Sequence, residues 1–349
     1  MRPHLLAILV LFGLAQAVSA QTVHEKERHL RNLRQLTFGG DNAEAYWSFD
    51  SRMLSFQSNH AKWGVGCDQI FYLPVDTPRD TASARPPMVS TGQGRTTCAF
   101  FMPGNKQILY ASTHLGGTDC PPPPPTTPQN ARKYLWPIYD TYDIFVSDLG
   151  GKIVKRLTDA PGYDAEATVS PKGDKMVFTS TRNGDLDLYV MDLKSGKVRQ
   201  ITRELGYDGG AFFSPDGRKI VFRASRPKTE TETAEYKELL RQNYVAPTNM
   251  EIYVCSADGS DLRQVTRLGK ANWAPFYHPS GRKIVFSSNH ASERGFNFHL
   301  YMINEDGTGL EQLTFESNFN AFPMFSPDGK KIAFSSNRNN NGTRDTNVF

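Results

Sequence analysis

Phe325 to Asn337 reads FSPDGKKIAFSSN: an apolar strand end, a Ser-Pro-Asp-Gly turn, and a second strand in which Ile332, Phe334 and Ser336 alternate with Ala333, Ser335 and Asn337. Proline presets φ, Asp and Gly accept turn geometry that strains other residues, and alternation is the period of a strand. One hairpin is marginal alone. This one recurs without gaps as WSFDSRMLSFQSN from Trp47, FMPGNKQILYAST from Phe101, VSPKGDKMVFTST from Val169, FSPDGRKIVFRAS from Phe213 and YHPSGRKIVFSSN from Tyr277. Six copies call for six units of one architecture.

Each unit continues. A third strand follows as DIFVSD from Asp143, DLYVMD from Asp187, EIYVCS from Glu251 and HLYMIN from His299. A fourth follows as KRLT from Lys155, RQIT from Arg199, RQVT from Arg263 and EQLT from Glu311, after turns such as Ala257-Asp258-Gly259-Ser260. Four antiparallel strands repeated six times predict an all-β fold, a six-bladed β-propeller. An unattached fourth strand, Leu33 to Thr37, stands at the front, while the last unit stops at Phe349, early in its third strand. The front strand is expected to complete the last blade and close the ring. The clipped end suggests a chain that continues, or a fragment.

Residues 1–20, with Arg2 and His4 before an apolar run from Leu5 to Val18 and small residues at Ser19 and Ala20, read as a secretory signal peptide. Residues 21–32 form a short N-terminal segment, within which Thr22 to Leu33 has the composition of a short helix. The propeller is expected over 33–349, with insertions at 115–142 and 226–250; the second contains a charged segment suited to an exposed helix. The mature chain has no other candidate membrane span. The expectation is an exported protein, periplasmic or secreted, and monomeric. With Arg2 removed, 40 basic residues become 39 against 36 acidic. That balance argues against a nucleic-acid partner.

The hairpin, the third strand and the Arg-Gln-Leu-Thr ending together resemble the propeller of TolB and the wider group of TolB-like exported propellers, over about Leu33 to Phe349. The resemblance is specific for fold and implies little about activity, because propellers host binding, scaffolding and catalysis alike. TolB has an α/β domain ahead of its propeller; here residues 21–32 separate the signal from the first strand, so that domain's contacts are not carried over. Oligogalacturonate lyases have a similar propeller with a His-bound metal, although their ligand motif has no residue-by-residue match here.

Links between strands two and three share a propeller face with links between blades, so both insertions decorate one face around the channel mouth. One residue past each hairpin stand His60, His114, Arg182, Arg226, His290 and Arg338. They either pair with local carboxylates or form a ring for an anionic group, or a metal held by the histidines. Five residues ahead of each hairpin stand Asn42, Thr96, Asp164, Asp208, Asn272 and Asn320, suited to capping the local backbone. Two further on, Glu44 and Glu166 occur where other blades have Cys98, Gly210, Ala274 and Phe322. This pair can neutralise arginines, hold a cation or act as acid and base.

Among Cys67, Cys98 and Cys120, one disulfide is expected, with a zinc site including His60 and His114 as the alternative. Cys255 reads as a core thiol. Trp63, Trp136, Tyr139, Tyr142, Tyr207, Trp273 and Phe319 are rim aromatics able to stack on a sugar or anchor a peptide. The functional expectation is a non-enzymatic module binding a protein or cell-envelope partner on the decorated face, with no cofactor required. The alternative is a metal-assisted lyase of acidic sugars, with a divalent metal at the channel mouth.

Overall fold

The computed structural model describes residues 23–76, 85–128, 130–340 and 342–349. The predicted signal peptide lies outside them. Six antiparallel sheets surround one axis, which makes the chain a six-bladed β-propeller. Blade three is the plainest: Asp164–Val169, Lys175–Ser180, Asp187–Asp192 and Val198–Gln200 follow one another outward. Its alternation buries Val177, Leu188 and Val190 against blade four and Phe178 and Tyr189 against the opposite side, so adjacent blades share their apolar layers.

The ring closes through the N-terminal segment. In complete blades the backbone N–H of the Leu, Ile or Val before the terminal Thr donates to strand three, as Leu157 does to the Ile144 carbonyl at 2.7 Å. The Thr hydroxyl in turn accepts from strand three, as Thr158 does from Ile144 N–H at 2.9 Å. Leu36 repeats the first bond to Val348 at 2.8 Å, and Thr37 the second, from Val348 N–H at 2.9 Å. The front segment therefore supplies the outer edge of blade six, beside Asn347–Val348. Blade one gains its outer edge from a stretch with no Arg-Gln-Leu-Thr signature: Val89 N–H donates to Ile70 at 2.8 Å, and Ser90 Oγ accepts from Ile70 N–H at 2.9 Å.

The short helix expected over 22–33 does not form in the described part. Residues 24–30 make two successive turns instead, with Glu27 N–H on the His24 carbonyl and Leu30 N–H on Glu27. The turns aim Glu27, 1% exposed, at Arg338, and seat Leu30 and Leu33 against Phe334 and Phe349. A straight amphipathic helix would need an apolar stripe this segment lacks.

The two insertions find each other. Trp136–Pro137 from blade two pairs with Tyr244–Val245 from blade four, and Ile138 N–H donates to Asn243 at 2.8 Å. Glu230–Arg241 is the expected helix, started by a capping box in which Thr229 and Glu232 satisfy each other's backbone N–H groups. Its buried Tyr236 bonds Asp185 of blade three. A Cys67–Cys120 disulfide ties the first insertion to blade one.

Candidate functional site

The two sequence columns at the hairpin ends meet inside each blade. Arg182 Nη2 donates to both carboxylate oxygens of Asp164 at 2.9 Å, and its guanidinium lies over Phe178 and Tyr189. Arg226 pairs with Asp208 at 2.5 Å and with Glu204, over Tyr253. Arg338 pairs with Asn320 and Glu27, over Phe334 and Phe349. The histidines follow the same plan. His114 packs on Phe145 and His290 on Tyr301, each with Nδ1 against the Ser two residues back at 2.9 Å. His60 stacks on Trp63, with Nε2 against the Phe38 carbonyl.

The column is thus not a ring facing one ligand. Each member is fastened within its own blade or to the closing segment: in five blades an aromatic ring at or beside strand three lies beneath it, and beneath His60 lies Trp63 of the turn that follows strand two. Among the described residues no group of three or more His, Cys, Asp or Glu is placed to hold a metal ion. Cys67 and Cys120 are joined to each other, and Cys98 is buried elsewhere, so the Cys/His zinc arrangement does not assemble.

What comes together on the axis is the other pair. The inner strand of every blade carries a register break, and there Glu44, Cys98, Glu166, Gly210, Ala274 and Phe322 have φ between 47° and 58°. A bulge of this kind re-aims a side chain. Its repetition in all six blades makes it part of the architecture, and it turns six non-adjacent positions into the wall of one constriction.

Glu166 is fully engaged there. Oε1 accepts from Tyr163 at 3.0 Å and from Tyr207; Oε2 accepts from Gly210 N–H at 2.5 Å and from Arg223 Nη2 at 2.9 Å. Arg223 takes a place where the other blades have Gln57, Ala111, Thr179, Ser287 and Ser335. Burial opposes its charge, but the Glu166 carboxylate and the Tyr207 hydroxyl hold it protonated, above its ordinary pKa. Glycines make the room: a Cβ on Gly210 would lie 1.9 Å from Arg223 Nη1, and one on Gly209 2.5 Å from Glu166 Oε2. Sequence reasoning missed Arg223, although a lone basic residue in an otherwise neutral repeat column, beside a Gly-Gly pair, is a readable signal.

Trp136 of the paired insertions roofs this cluster. Arg223 lies 5.1 Å from its ring centroid, with Tyr207 at 6.4 Å and Trp273 at 5.2 Å. Of the other rim aromatics, Tyr142 packs edge-on against Tyr163 and Phe319 against Phe298, so both serve packing.

Glu44 is the exception. Its Oε2 is occluded and has no hydrogen-bond partner. Burial raises its pKa to about 7; Cys98 and Arg223 pull it down, while Glu166 and Asp68 push it further up. A carboxyl raised above its unfolded value stabilises the fold below pH 4.5, and this contribution disappears as pH rises through about 7. Glu44→Gln is therefore expected to stabilise the protein by about 2 kcal/mol at pH 8 and to be neutral at pH 4. Urea midpoints of both proteins at the two pH values measure this; an equal difference at both would refute it.

Comparison with known proteins agrees with the architecture. The family model described as the TolB beta propeller domain matches residues 138–235. A TolB-type structure from Agrobacterium tumefaciens is 21% identical, with a TM-score of 0.55, covering 83% of this chain and 87% of its own. TolB from Acinetobacter baumannii is 19% identical at a TM-score of 0.53; 87% of this chain spans 59% of that one. Oligogalacturonate lyase from Vibrio parahaemolyticus is 15% identical at 0.45, covering 72% of this chain and 60% of that one. No curated protein matches in sequence. The class is a six-bladed propeller with a roofed axial channel. More particularly, its fold resembles that of the TolB-type propellers, and residues 138–235 match the TolB beta propeller domain.

Proposed function

We propose that this propeller is an exported binding module that receives a protein or cell-envelope partner on its decorated face. One observation carries the reading. Of the five exposed large apolar side chains among the described residues, Leu115, Tyr134 and Phe296 all lie on links between strands two and three, and hence on that face. The platform beneath two of them is held rigid by the Trp136–Pro137 pairing with Tyr244–Val245, by the disulfide, and by Asn130 on Gln242 at 2.7 Å. Exposed apolar anchors on a preorganised support lose little entropy on binding. Among the described residues no helix is long and apolar enough to cross a membrane.

In this reading no metal is needed. The lyase alternative requires a His-bound metal, and His60, His114 and His290 are held in three separate blades. A photo-crosslinking residue placed at 115, 134 or 296 in living cells should give one discrete adduct; at Lys172 or Arg218, on the turn face, it should give none. Adducts from both faces alike, or from neither, would overturn the proposal. Replacing Leu115, Tyr134 and Phe296 together by Ser should abolish the adduct formed from a neighbouring position on the same face.

A further inference from the structure

The channel holds a second feature, independent of the decorated face. Glu44 projects from its bulge into a constriction of about 20 Å³, room for one water-sized group. The charges around it are already matched. Arg223 is committed to Glu166, and Asp68 to Arg95. The Cys98 thiol and the Tyr46 hydroxyl are both held neutral, chiefly by burial. The neutral Cys98 thiol is hydrogen-bonded to Glu44 and brings no counter-charge, so an ionised Glu44 is an uncompensated charge in this wall, with Oε2 unbonded; a buried carboxylate without a counter-charge is costly. Aromatic rings of Tyr46, Phe212 and Phe322 line the same constriction. Aromatic faces attract cations.

Phe212 also belongs to a second cavity, a funnel of about 360 Å³ on the SPDG-turn face, walled by Trp47, Phe100, Phe276 and Met324. Funnel and constriction share Phe212, so an apolar sleeve leads toward an acid that has no counter-charge. One free carboxylate cannot satisfy the six or more oxygen ligands a divalent cation requires. It does match a group of water size with three donors.

We propose that the channel constriction binds one primary ammonium group on an apolar stem, of the kind a lysine side chain presents, with the Glu44 carboxylate as its counter-ion and the aromatic funnel around its stem. The ammonium donates to Glu44 Oε2, faces Phe322 and Tyr46, and leaves the Glu166–Arg223 pair undisturbed.

The test is calorimetric titration of the full chain with Nα-acetyl-lysine methylamide, n-butylamine and glycinamide, at pH 8 and pH 6. Saturable one-to-one binding is expected for the first two. Tighter binding of the lysine derivative would mark a peptide ligand, and equal binding would mark a free amine; both satisfy the assignment. Because Glu44 is about nine-tenths ionised at pH 8 and about one-tenth at pH 6, affinity should fall about tenfold. Glu44→Gln should bind neither, and the Tyr134→Ser variant should bind unchanged, which separates this site from the decorated face. Absence of saturable binding, full retention in Glu44→Gln, glycinamide binding as tightly as butylamine, or no weakening at pH 6 would each overturn it. The pH profile of the unaltered protein keeps the test decisive even if Glu44→Gln folds poorly.

Discussion

Glu27→Ala is expected to destabilise the protein by about 3–5 kcal/mol, far more than a residue in a leading segment ordinarily would. Glu27 and Arg338 have side chains 0% and 1% exposed, and the carboxylate meets Arg338 at 3.1 Å and 3.2 Å. It also accepts from Phe315 N–H at 2.8 Å and Glu316 N–H at 3.2 Å. Alanine would leave a buried guanidinium without a counter-charge and two backbone donors without an acceptor. The same segment carries Leu36 and Thr37 to the edge of blade six, so the loss extends to ring closure.

Urea unfolding should show the drop, and trypsin should cut early at Arg31 or Arg34. A Glu27→Leu, Arg338→Met double variant should recover part of the loss, since an apolar pair removes both charges together. A change below about 1 kcal/mol for the single variant would refute this account. The pH dependence opposes that of Glu44. Burial raises the Glu27 pKa, but bonds from Arg338, Phe315 and Glu316 bring it below the ordinary value. Its contribution is present above pH 4.5 and disappears as pH falls.

Arg223→Met should cost a similar amount, about 3–5 kcal/mol, at the opposite end of the architecture. Glu166, 7% exposed, would keep Tyr163, Tyr207 and the Gly210 N–H but lose its ion pair with Arg223. Trp136 would lose the cation beneath its ring, so the insertion roof should loosen and tryptophan fluorescence shift. Pairing Arg223→Met with Glu166→Gln should return much of the stability, and the coupling in that double-mutant cycle measures the pair. Additive losses would show that the two residues do not act together.

The repeat made the blades legible because every signal in it is local. Ser326, Pro327, Asp328 and Gly329 specify their own turn, and Ser326 Oγ donates to Asp328 at 2.6 Å within it. Glu44 and Glu166 were visible as oddities in a column, but the only local residue that separates them is Tyr163, which donates to Glu166. The rest of the difference depends on Arg223 and Tyr207, which come from blade four. The His/Arg column was equally visible, but whether it faced a mouth or its own blade turned on the aromatic ring beneath it.

The sequence by itself determined a six-unit β architecture, the hairpin turns, both insertions and the helix in the second, because hydrophobic period and turn chemistry act over a few neighbouring residues. Only the tertiary structure decided that Glu27 meets Arg338 across 311 residues, that Cys67 takes Cys120 across 53, and that the two insertions pair with each other. The physical reason is the closed ring. Curvature around one axis brings equivalent positions of different blades to a common wall, and there the partner of each charge is set by which blade carries the odd residue.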